Sequence, residues 1–198
     1  MASHLDMAAQ TSPLIVASFA GELDRVSLLL QSGADVNKAN EKGWTAVHYA
    51  SAAGNTEIVR LLLIYGADID STTKKNESCL LLAVLSGWTD TVRQLLSAGA
   101  DVNLQRKDGV SPLHAASQMR HSLDKLVIAE VDIKTNSDDT NVKTSDYSSL
   151  LHEASETRFT NTDIIELLLD NGANLETRDK KGFTPLHFCC RGRTNRCS

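Results

Sequence analysis

Aromatic residues are scarce in this chain: Phe, Trp and Tyr make up 5% of 198 positions. A core so poor in rings has to be filled by aliphatic side chains, and Leu and Ala carry most of the 41% apolar share. Cysteines number four, at 79, 189, 190 and 197, and none of them forms a C-x-x-C pair. That spacing excludes the usual zinc and dithiol motifs and suits a reduced chain inside the cell. Positive charge is also in deficit, with 20 Lys and Arg against 25 Asp and Glu for a net charge of −5. A dedicated nucleic-acid binder draws its affinity from the opposite balance, so no nucleic-acid partner is expected. Long apolar runs are missing too. "CLLLAVL" from Cys79 and "LLLIYGA" from Leu61 fall far short of the roughly 20 residues that span a bilayer. The opening "MASHLDMAAQ" has neither the basic nor the apolar region of a secretory signal, and residues 1–10 read as a disordered start or cloning remnant. These absences predict a cytoplasmic or nuclear protein with no membrane insertion, folded as one domain from residue 11 to 198.

What is present is self-similarity. The tetrapeptides "SPLI" (Ser12), "TAVH" (Thr45), "SCLL" (Ser78), "SPLH" (Ser111), "SLLH" (Ser149) and "TPLH" (Thr184) begin 33, 33, 33, 38 and 35 residues apart. A second landmark keeps step: "GADVN" at Gly33, "GADID" at Gly66, "GADVN" at Gly99, "VDIKT" at Val131 and "GANLE" at Gly172. Two landmarks in one register identify a repeat architecture.

Each period carries two short helical patterns, the second holding a leucine run such as "VSLLL" or "IVRLLL". Thr45, Ser111 and Thr184 are placed to cap the first helix, and Pro13, Pro112 and Pro185 stand where a missing N–H costs nothing. Acidic residues (Asp24, Glu57, Asp90, Asp163) open the second helices, favoured by the helix dipole, and Gly33, Gly66, Gly99 and Gly172 end them. The polar segments that follow, "KANEKG", "STTKKN", "LQRKDG" and "TRDKKG", suit extended hairpin turns between units.

With "TPLH", "ASAAGNTEIVRLLL" and "GAD" followed by an apolar residue, the chain resembles the ankyrin-repeat family from Thr11 to about Cys190. The resemblance implies an all-α solenoid of stacked helix-loop-helix units with projecting β-hairpin fingers and a concave face. Five full repeats are expected near 11–43, 44–76, 77–109, 110–147 and 148–182, with a partial sixth at 183–198. The last unit stops before its second helix, which suggests a fragment or an improvised cap. Repeat four departs most from the pattern. Arg120 replaces the interhelix Gly, Glu130 replaces the helix-ending Gly, and the stretch from Asp132 to Ser149 outruns its counterpart in every other repeat. A polar insertion around 134–147 and weak local packing are expected there.

His48, His114, His152 and His187 share one place in the repeat. The family implies a structural role for them, hydrogen-bonding neighbouring backbone and tying one finger to the next. Metal ligation would need convergence to about 2 Å around an ion, whereas neighbouring helices pack about 8–10 Å apart. Gly54 and Gly87 belong to interhelix turns, with no Walker-type sequence after them. No nucleophile, base and orienting group assemble from residues so evenly dispersed, so neither enzymatic activity nor a cofactor is expected. Function is left to surface positions. The resemblance directs a protein partner to the fingers and first helices, and at those positions large apolar residues recur: Phe19, Trp44, Leu85, Val110 and Met119. Trp88, after Gly87, reads as either a hot spot or a lid on a helix pair. Finger residues Lys38, Lys42, Lys74, Lys75, Arg106, Lys107, Arg178, Lys180 and Lys181 form a basic row suited to an acidic segment with apolar anchors. The expected function is a noncatalytic, monomeric recognition module of a scaffold or adaptor. A stand-alone proteasome-assembly chaperone resembling gankyrin is the alternative.

Overall fold

The computed structural model describes residues 12–118 and 161–191. Nine helices run through them: α1 (Pro13–Ala20), α2 (Leu23–Gln31), α3 (Ala46–Ala53), α4 (Thr56–Ile64), α5 (Cys79–Ser86), α6 (Thr89–Ser97), α7 (Pro112–Gln118), α8 (Asn161–Asp170) and α9 (Pro185–Arg191). Among the described residues there is no strand, only an isolated antiparallel bridge between Thr72 and Ser78.

The first helix of a pair is short because it is closed at both ends by side-chain and backbone geometry. Thr45 precedes α3 in extended conformation, and the His48 ring reaches back to accept from the Thr45 backbone N–H at 3.2 Å. The His thus does what Glu or Gln does in an ordinary capping box. Ser111 and His114 repeat this at α7, with 3.3 Å between Ser111 N and His114 Nδ1. At its other end α3 stops on Gly54, whose φ of +77° is left-handed and disfavours any residue with a Cβ.

Apolar faces then decide the packing. On the first helices α1, α3, α5 and α7, Leu14, Val47, Leu80 and Leu113 occupy equivalent sites and lose almost all their surface, whereas Leu186 in the same place on α9 is exposed. Second helices contribute Val26, Val59 and Val92, and then Leu62, Leu95 and Leu168. Each fully buried aliphatic side chain stabilises the fold by about 1.5–3 kcal/mol. The core is therefore a continuous row between successive pairs rather than a central cluster, and the buried apolar residues among those described form one connected set.

α1 pairs with α2, α3 with α4 and α5 with α6, and each first helix packs on the first helix of the preceding pair. α7 packs on α5, and its own second helix is α8, which lies beside α6; α9 then packs on α7. This differs from the division by period, which assigns α7 to a repeat at 110–147 and α8 to another at 148–182. Period alone cannot choose between the two, because any leucine-bearing helix of the right length satisfies the pattern. Contacts can. Residues 1–11, the 134–147 insertion, His152 and Met119 lie outside the described residues.

Candidate functional site

The fingers between pairs are held by backbone and side chains together. Asn37, fifth letter of "GADVN", donates through Nδ2 to the Gly66 carbonyl (3.1 Å) and accepts from Asp68 N through Oδ1 (2.9 Å). Asn103 does the same to Gly172 and Asn174, at 3.2 and 2.8 Å. Asp70 accepts from Asp101 N at 2.9 Å. Higher up each finger, Lys74 N donates to the Lys42 carbonyl, Lys107 N to Lys75 and Lys180 N to Asp108, at 2.9, 3.0 and 2.9 Å. Every finger is thus hydrogen-bonded to the next, and the row has a fixed repeat distance. This anchoring role of Asn37 and Asn103 was missed in the sequence, although their place in the landmark pentapeptide was the signal for it.

Lys38, Lys42, Lys74, Lys75, Lys107, Arg178, Lys180 and Lys181 are exposed along that row. Four aspartates interleaved with them are turned toward backbone, whereas Glu41 and Glu176 stay exposed. Asp35 accepts from Asn37 N, Asp68 from Asp70 N, Asp101 from Asn103 N, and Asp179 from both Lys181 N and Phe183 N. Short carboxylate arms close turns while long ammonium arms reach solvent. Arg106 leaves the basic row: it is half-buried, forks onto Asp108 and lies 3.8 Å from Glu77. Its hydrogen bonds hold the Asp108 carboxyl below the usual aspartate range, and Glu77 is further held by Thr73 Oγ1 at 3.0 Å.

The apolar candidates separate in the structure. Trp44 is 6% exposed and packs against Tyr49, with ring centroids 4.9 Å apart. It belongs to the core of the fold, which corrects its place among the contact residues: an indole before the helix cap covers its own unit. Phe19 is half-buried, edge-on to Tyr49 at 6.1 Å; Leu85 and Val110 are also half-buried. Trp88 sits at the interhelix-turn edge, away from the fingers. Its Nε1 donates to the Ala52 carbonyl at 3.0 Å, and its ring covers Gly54. That is a lid between pairs. Asn55 fills the equivalent place one pair earlier, donating to the Ser18 and Phe19 carbonyls at 2.9 and 3.2 Å. The largest exposed apolar side chains lie elsewhere: Leu28 and Ile64 on second helices, and Leu186 on α9, are each about two-thirds exposed.

His48 and His114 are fully buried. Thr45 N–H and Oγ1–H donate to His48 Nδ1, at 3.2 and 2.8 Å, which leaves Nε2–H to donate to the Ser71 carbonyl at 3.1 Å. Burial lowers the imidazole pKa from 6.5 to about 4 against the opposing pull of the Ser71 and Glu77 carbonyls. A neutral ring with both nitrogens engaged is a strut between two fingers. His114 Nε2 reaches the Phe183 carbonyl at 3.0 Å in the same manner. His187 is exposed and holds Thr184 Oγ1 at 2.7 Å. Among the described residues no cluster of three or more His, Cys, Asp or Glu is placed to hold a metal ion. None of their helices is long and apolar enough to cross a membrane.

A stack of antiparallel helix pairs joined by laterally bonded fingers, its core strung along the stack axis, defines a helical repeat solenoid. A family model described as ankyrin repeats matches in three copies, at residues 3–73, 65–139 and 123–197. The chain belongs to the ankyrin-repeat family, whose members generally serve as noncatalytic protein-interaction modules. No curated protein matches it.

Proposed function

We propose that the protein is the recognition module of a scaffold or adaptor, and that it binds an acidic segment of a protein partner across its concave face and fingertips. It acts as a monomer in the cytoplasm or nucleus, without catalysis or cofactor. One observation carries this reading: exposed lysines recur on four successive fingers that are hydrogen-bonded to one another, while Asp35, Asp68, Asp101 and Asp179 on the same row are occupied by backbone amides. Cations carried at regular spacing on a hydrogen-bonded backbone row steer and align an acidic chain. Half-buried Phe19, Leu85 and Val110 offer apolar anchors for the partner.

The test is selection from a displayed random-peptide library on the intact protein. Recovered peptides are then titrated against wild type and against Lys74→Glu/Lys107→Glu/Lys180→Glu. Enrichment of Asp and Glu beside apolar residues is expected, with binding weakened about tenfold or more by the triple change and by high salt. Neutral or basic winners, or affinity indifferent to both perturbations, would overturn the proposal.

A further inference from the structure

The bonds that tie one finger to the next act as a ruler along the chain. Between the first and second fingers, the Asn37 side chain reaches partners 29 and 31 residues ahead. Between the third finger and the one that follows, the Asn103 side chain makes the same two bonds at 69 and 71 residues. Backbone pairing gives the same difference. Lys74 bonds Lys42 and Lys107 bonds Lys75 one period back, whereas Lys180 reaches much further back, to Asp108. All three contacts are therefore lengthened along the sequence by one and the same amount, the length of the segment 120–159, and none is distorted in space. Ser111 and Thr184, which precede α7 and α9, are separated by one ordinary period plus that same segment.

Helix packing agrees with the ruler. α8 completes α7 as α6 completes α5, and α9 seats on α7 as α7 seats on α5. The rings of His114 and Phe188 meet edge-on at 5.3 Å across that last contact. Equivalent residues follow at the shifted spacing: Leu62, Leu95 and Leu168 are buried alike, and Arg60, Arg93 and Glu166 are exposed alike.

We infer that the fourth unit is assembled from two sequence-distant halves, one running from Ser111 to the end of α7 at Gln118 and the other from the start of α8 at Asn161 to Phe183, and that the ruler's extra segment, 120–159, is inserted between them. The family match runs through this segment, so the sequence offers a second register in which another unit separates α6 from α8. The bonding between fingers selects the shorter one. The chain leaves and rejoins the stack at the edge occupied in other pairs by Gly21, Gly54 and Gly87, away from the fingertips. An addition at that edge leaves the row of lysines continuous from the third finger to the fourth, where a partner would span it.

Distance measurement in the full chain tests this. Spin labels at Arg93→Cys and Glu166→Cys, with Cys189, Cys190 and Cys197 changed to Ser, report the separation of α6 from α8. A control pair at Arg60→Cys and Arg93→Cys reports two undisputed neighbours. Adjacent helices lie about 8–10 Å apart, so the two pairs should give overlapping distributions. A separation near twice that of the control would place a unit between them and overturn the inference. Deleting 120–159, joining Met119 to Thr160, should preserve helical content, cooperative unfolding and the α6–α8 distance. Loss of the fold on deletion would equally count against a self-sufficient split unit.

Discussion

Lowering the pH should loosen the stack through His48. The folded protein holds this imidazole neutral until about pH 4, because burial penalises its charged form, whereas the unfolded chain takes up the proton near 6.5. Between those values the unfolded state binds more protons, so stability is full above about pH 6.5 and falls as pH falls. The whole difference corresponds to about 3 kcal/mol, of which about 2 kcal/mol is lost between pH 7 and pH 5. Carboxylates titrate over part of the same range, so the contribution of His48 is read against a His48→Gln variant in which only this group is missing. At pH 7 the variant should be less stable, having lost the bonds to Thr45 and Ser71. As pH drops to 5, the gap between wild type and variant should shrink by about 2 kcal/mol. Urea unfolding followed by far-UV circular dichroism measures the gap, and tryptophan fluorescence reports locally, since the Trp44 ring lies 6.1 Å from His48. A gap constant over this range would refute the claim that the ring is buried neutral.

Two further perturbations address packing. Gly54→Ala adds a Cβ inside van der Waals contact of the Trp88 ring at a φ of +77°. It should cost about 1 kcal/mol for the left-handed backbone and a further 1–3 kcal/mol or so for the collision. In a Trp88→Ala background only the backbone cost should remain, and an equal cost in both backgrounds by urea unfolding would show that the lid is not seated on the turn. The Cys79 thiol is fully buried and pushed up to about 12 by burial, so its reactive thiolate is absent at mildly alkaline pH. Iodoacetamide should modify Cys79 only after unfolding, as followed by peptide mass mapping; native labelling at the rate of a free thiol would contradict its burial.

Local signals in the chain settled a good deal. The tetrapeptides located the first helices, since a Ser or Thr cap with Pro or His behind it leaves the backbone few alternatives, and the Gly landmarks located where second helices stop. The lysines announced an exposed basic row. These features act over a few residues, within reach of short-range hydrogen bonds and dihedral preferences. Trp44 and Trp88 were not legible in this way, because the same large ring serves a partner or its own core according to what lies across from it. Arg106 left the basic row for Asp108, two residues on, with Glu77 of the preceding finger 3.8 Å away. The pairing of α7 with α8 is the plainest case. Each helix was marked correctly by its own residues, yet their partnership bridges a segment longer than a whole repeat and is decided by which apolar faces and finger amides come together. Amino-acid order alone determined the helices, caps and turns of this protein, and tertiary structure decided which of them share a unit, because burial and hydrogen bonding are settled between segments that the sequence holds apart.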